Sequence, residues 1–136
     1  AECISVAVYM AKTGVKKEII KKYVIDNYYN IDFILDEIRD TYDFNITCQG
    51  SVPQALEAFF ESNSFEDAIR NAISIGGDSD TIAAITGSIA GVYYGIPRRL
   101  IKKAMTFFEL KYDEDLINII NEFEKKYPTK IKRVFL

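Results

Sequence analysis

Histidine does not occur anywhere in the 136 residues. Its absence removes imidazole acid–base catalysis, Ser-His and Cys-His nucleophile pairs, and His-based metal clusters. Any chemistry has to come from carboxylates, hydroxyls, lysine or a metal. Cysteine is scarce: Cys3 and Cys48 have neither a CxxC spacing nor the density of a disulfide scaffold, which makes a reducing compartment, the cytoplasm, the expectation. A basic surplus is missing too. With 17 Lys and Arg against 20 Asp and Glu and a pI near 5.0, the chain lacks the phosphate-facing charge of a dedicated nucleic-acid binder. No basic segment leads into an apolar one, so nothing reads as a signal peptide. The longest uncharged run, residues 81–97, carries Thr, Ser, Gly and two Tyr, and reads as a buried core helix, not a membrane span. There is no alternating strand pattern, internal repeat or low-complexity linker.

What is present is helical. At 49% hydrophobic content, residues 1–136 suffice for a single domain around one core. Ile4, Val8 and Ala11 recur at helical spacing and stop at Gly14, a C-cap position. The chain enters this helix without a capping residue and begins with Ala, which suggests a start inside a larger unit. Val15, Ile19, Ile20, Tyr23 and Val24 form an apolar stripe opposite Lys16, Lys17, Lys21 and Lys22, predicting an amphipathic helix with a solvated lysine face. Ile31, Ile34, Leu35 and Ile38 predict a short third helix. Periodicity then fades from Asp40 to Ser51, which reads as loop, and Pro53 fits the first turn of the next helix.

Ser64 followed by Asp67 resembles a capping box. The run from about Ser79 to Tyr94 is apolar or small on every side and predicts a central, buried helix, with Gly87 and Gly91 permitting close helix approach. Two amphipathic helices close the chain, one through Leu100, Ile101, Ala104 and Met105, the other through Leu116, Ile117, Ile120 and Phe123. The fold class is all-α, a compact multi-helix bundle around the central helix.

Chemistry concentrates in Gly76-Gly77-Asp78-Ser79-Asp80-Thr81. Two carboxylates and a hydroxyl meet where one helix stops and the buried one starts, and the glycines permit the reversal between them. Hard cations such as Mg²⁺ take oxygen ligands of this kind. The same residues would also serve as an ordinary cap, with Asp78 or Ser79 at the N-cap and Asp80 favouring the helix dipole. Adjacent acidic groups at the edge of an apolar helix repel each other, and a bound cation would relieve that.

The run Gly76 to Gly87, continuing through Ala90-Gly91-Val92-Tyr93-Tyr94-Gly95-Ile96-Pro97, resembles the C-terminal signature of the ADP-ribosylglycohydrolase family. Cys48-Gln49-Gly50-Ser51-Val52-Pro53-Gln54-Ala55 and Phe65 to Ala72 are similar to the segment that precedes it in bacterial members. The resemblance implies a hydrolase that cleaves the glycosidic bond of ADP-ribose conjugates with a pair of Mg²⁺ ions. It assigns Asp78, Asp80 and Thr81 as metal ligands, with Asp78 and Asp80 as the catalytic residues that orient the metals, and Gln49, Gly50 and Ser51 beside the ligand cleft.

Family members complete the site with a Thr-Asp-Asp motif in their N-terminal half. Here the adjacent acidic residues are Asp36-Glu37, Glu66-Asp67 and Asp113-Glu114-Asp115, none in that context. The expectation is therefore an incomplete site, inactive without the missing half, and exposed apolar surface inviting a homo-oligomer or a companion chain. The alternative is a non-catalytic helical module that binds ADP-ribose or protein. Cys48 is given no catalytic role. Tyr93 and Tyr94 fit core packing better than base stacking. Lys125, Lys126, Lys130, Lys132 and Arg133 read as a solvated helix end.

Overall fold

The computed structural model describes residues 1–111 and 114–128. Asp113 of the acidic run and Lys130, Lys132 and Arg133 of the basic tail lie outside the described residues. Every regular element among the described residues is a helix: α1 (Glu2–Lys12), α2 (Lys17–Asn27), α3 (Leu35–Ile38), α4 (Cys48–Phe60), α5 (Phe65–Ser74), α6 (Ser79–Tyr94), α7 (Arg98–Lys111) and α8 (Glu114–Lys126). No described helix is long and apolar enough to cross a membrane. They form two compact units, residues 1–94 and 95–136.

In the first unit α6 is the centre, packed against α1, α4 and α5. Its Ile82, Thr86, Ile89, Ala90 and Gly91 are buried. The hydroxyl of Thr86 donates to the Ala55 carbonyl at 2.9 Å, a buried tie between α6 and α4. Gly87 faces α5 so closely that a Cβ there would lie 3.1 Å from Ile69 Cδ1. Asp80, Thr81, Ala84 and Ser88 stay exposed. Their spacing puts them on one stripe of the helix, the side that α1, α4 and α5 leave open. The core divides into a larger group around Phe59, Ile20, Val24, Leu56 and Ile89 and a smaller one around Leu35, Ala55, Ala72, Ile75 and Ile82. Phe59 meets Tyr93 and Tyr94 edge-on, with ring centroids 5.3 and 6.1 Å away. The Tyr94 hydroxyl donates to the Ser62 carbonyl at 2.6 Å, the core role expected of it.

Helix ends follow the sequence where capping is local. Gly14 has φ 85° just past α1, and Ser64 accepts from the Asp67 N–H at 3.1 Å while Asp67 accepts from the Asn63 N–H at 2.8 Å. Three expectations need correction. The third helix is only Leu35–Ile38, because Ile34 is extended (φ −113°, ψ 158°) and Leu35 N–H donates at 2.7 Å to Glu61, fixing the helix start against the end of α4. The segment through Ser51 is not all loop: α4 starts at Cys48 on the Thr47 N-cap, whose side chain accepts from Gly50 N–H, so Pro53 lies inside the helix.

The lysines of α2 are not one solvated face either. Lys16 and Lys22 are exposed, but Lys21 pairs with Glu57 at 2.6 Å. Lys17 donates to the Phe60 carbonyl at 3.0 Å and also to that of Ser62, where α4 ends with unsatisfied carbonyls. The apolar stripe turns accordingly: Ile20 and Val24 are buried, whereas Ile19 and Tyr23 are 55% and 40% exposed.

In the second unit α7 and α8 pack on each other. The Pro97 carbonyl accepts from the Leu100 and Ile101 N–H groups and starts α7. Leu116, Ile119, Ile120 and Phe123 of α8 are exposed to 37–63%.

Candidate functional site

The acidic turn is built by two successive left-handed glycines. Gly76 (φ 74°) and Gly77 (φ 63°) reverse the chain between α5 and α6, a conformation that costs about 1 kcal/mol or more for a residue with a Cβ. Asp78 is thereby placed at the N-cap of α6, its carbonyl accepting the Ile82 N–H at 3.0 Å. Asp80 and Thr81 follow in the exposed first turn. Asp78, helped by the backbone N–H groups of Thr81 and Asp80, holds the Asp80 carboxyl below the usual carboxylate range. No ion pair with Lys or Arg reaches Asp78 or Asp80 among the described residues. The backbone dipoles at the helix mouth favour the charge.

The other predicted segment lies in the first turn of α4. Gln49 is exposed, Gly50 partly so, and Ser51 is buried with its hydroxyl donating to the Asn45 carbonyl at 2.8 Å. Asn45 Oδ1 accepts from both the N–H (2.9 Å) and the hydroxyl (2.7 Å) of Thr47. A Cβ on Gly50 would run into the Asn45 side chain.

Tyr42 connects this segment to the acidic turn, and sequence reading missed it. Its hydroxyl donates to the Gly50 carbonyl at 2.6 Å. Its ring lies against Gly77, where a Cβ would stand 3.0 Å from Tyr42 Cδ1 and nearer still to Cε1. Burial chiefly raises the Tyr42 phenol, Ser51 opposes that by hydrogen bonding, and the Asp78 carboxylate adds to it. Nothing in the sequence marks Tyr42, because its partners are all remote or lie across a loop.

Asp78, Asp80 and Thr81 supply oxygen donors of the type a hard divalent cation takes. Among the described residues no third acidic side chain, Cys or His joins them. A full octahedral set would draw its other ligands from water or from outside the described residues.

The family model described as ADP-ribosylglycohydrolase matches residues 3–130. ADP-ribosylhydrolase ARH3 of Homo sapiens is 43% identical over 51 residues, which is 38% of this chain and 13% of that protein. ARH3 of Bos taurus is 41% identical over 72 residues, 45% of this chain and 20% of the relative. ADP-ribosylarginine hydrolase Tri1 of Serratia proteamaculans is 42% identical over 52 residues, 36% and 14% respectively. The matched segments thus span a fifth or less of these curated relatives. No solved structure matches the chain. The helical architecture and the match across nearly its whole length agree: this chain belongs to the ADP-ribosylglycohydrolase family.

Proposed function

We propose that this chain carries one side of a divalent-cation site and contributes it to hydrolysis of the glycosidic bond in ADP-ribose conjugates. The observation that carries this reading is the Asp78–Asp80 pair: two carboxylates at the mouth of α6, with no lysine or arginine ion-paired to either among the described residues. The relatives support the substrate class, since ARH3 is an ADP-ribosylhydrolase and Tri1 an ADP-ribosylarginine hydrolase.

In this reading Asp78, Asp80 and Thr81 hold Mg²⁺, while Gln49, Gly50 and Ser51 border the ligand. A bound Mg²⁺ supplies positive charge that polarises a ribose hydroxyl and lowers the pKa of water. The chain's own contribution is orientation. The glycine reversal sets the direction of both carboxylates, and the start of α6 favours negative charge beside it. The remaining donors come from outside these residues, from further segments of the protein, a companion chain or a second copy, and until they are supplied turnover is absent or small.

The test is the thermal midpoint in EDTA and in millimolar Mg²⁺, for the wild type and for Asp78→Ala/Asp80→Ala. Saturation to ten times Kd adds about 1.4 kcal/mol, so the wild-type midpoint should rise by several degrees and that of the double variant should not. An equal response in both sinks the reading and leaves the turn as a helix cap. Release of ADP-ribose from an ADP-ribosylated peptide, with and without an N-terminal family fragment, then separates a hydrolase from a module that only binds.

A further inference from the structure

Tyr42 belongs to no motif, yet it touches both candidate segments. It follows α3 directly, its N–H donating to the Ile38 carbonyl at 2.8 Å, and it packs half-buried against the smaller core group. From there the hydroxyl reaches the Gly50 carbonyl, and the ring lies so near Gly77 that a Cβ there would collide with it. Gly77 immediately precedes Asp78. The loop that carries Tyr42 is itself braced, through the Asn45 bonds to Thr47 and Ser51.

We propose that Tyr42 is a positioning residue for the acidic site: a strut whose hydroxyl holds the first turn of α4 and whose ring holds Gly77, fixing the Gln49–Ser51 segment relative to Asp78 and Asp80. The inference rests on the reading of those aspartates as cation ligands. A tyrosine that merely filled space would keep its role as phenylalanine. A strut would not, because the hydroxyl is what anchors the ring to Gly50.

The experiment uses Tyr42→Phe, which removes the hydroxyl and preserves the ring. In the first arm, amide hydrogen exchange is followed in EDTA. Exchange at Ile82 to Ala84, the first amides of α6 bonded back to the turn, should quicken about tenfold in the variant, while amides of α1 and α2 stay within about twofold. Unchanged exchange at the turn overturns the strut, whether or not the protein binds a cation. In the second arm, Mg²⁺ is titrated against the amide shifts of Asp78 to Thr81, and the variant should bind about tenfold more weakly. Equal affinity in wild type and variant overturns the positioning role even if exchange quickens. Absence of any Mg²⁺ shift in the wild type indicts the ligand reading instead, and the first arm then decides whether Tyr42 orders the turn.

Discussion

Two pairs of carboxylates on neighbouring helices meet opposite surroundings. On α4, Glu57 is 1% exposed and within 2.6–2.7 Å of Lys21 Nζ, with Glu61 beside it. Lys17, Glu18 and Phe60 complete the walls of a small cleft of about 170 Å³ at this end of the helix. At the start of α6, Asp78 and Asp80 stand in or near solvent, and backbone N–H groups favour the Asp80 charge. Burial raises the Glu57 carboxyl, the hydrogen bond and charge of Lys21 bring it down in part, and Glu61 pushes it up again. Asp80 moves the other way, down. Negative charge at the first place is consumed internally by a lysine from α2. At the second no lysine or arginine among the described residues takes it up. Acidic residues in this chain are therefore informative only together with their cationic neighbours.

The contrast can be broken most forcefully at Lys21. Lys21→Met leaves Glu57 buried without its counter-charge and should cost about 3 kcal/mol in urea denaturation; Lys21→Met/Glu57→Leu should recover most of that. A loss under about 1 kcal/mol for the single change would mean that Glu57 is satisfied without Lys21. Next in size is the turn. Gly77→Ala meets both an unfavourable φ and the Tyr42 ring and should destabilise by about 2 kcal/mol, whereas Gly76→Ala, with open space around it, should cost only the backbone share of about 1 kcal/mol. Equal losses would remove the ring from the account. Smaller again is Asp78→Asn/Asp80→Asn. In EDTA it removes a charge that its surroundings favour, so stability should stay close to wild type or fall slightly below it, while any Mg²⁺-dependent rise is abolished.

The smallest effect is a pH slope at Glu57. Its folded pKa lies above the ordinary carboxylate value, so the folded chain takes up that proton more readily than the unfolded one. The stabilisation from this group is complete below the ordinary carboxylate range and is lost as pH rises through the raised value. Wild type should therefore lose ground relative to Glu57→Gln as pH rises from the ordinary carboxylate range through the raised value. A stability difference flat across that window would show that Lys21 cancels burial.

Much of the fold was legible because its signals are local. Ser64 and Asp67 marked the start of α5, and the Gly76–Gly77 pair its end and the beginning of α6. Where the deciding contact comes from far along the chain, the reading failed. Ile31 to Ile38 has helical spacing, but Glu61 takes the Leu35 N–H and the chain stays extended up to that point. The start of α4 hid in Cys48-Gln49-Gly50-Ser51, whose weak helix propensity is overridden by the Thr47 cap and the Asn45 bonds. The acidic turn was legible as a motif. Its connection through Tyr42 to Gly50 was not, since no periodicity relates an aromatic ring to a glycine on another helix.

The seam between α1 and α6 carries a consequence for the order of assembly. α4, α5 and α6 are consecutive and pack on one another, so their contacts close short loops. α1, with Cys3, Ala7 and Ala11 in the core, must wait for a partner lying most of the first unit away in sequence. Closing that longer loop costs more chain entropy, and the side chains it buries fully are small ones. The three-helix layer that bears the acidic turn is thus expected to form first, with the α1–α2 pair as the late-closing cover.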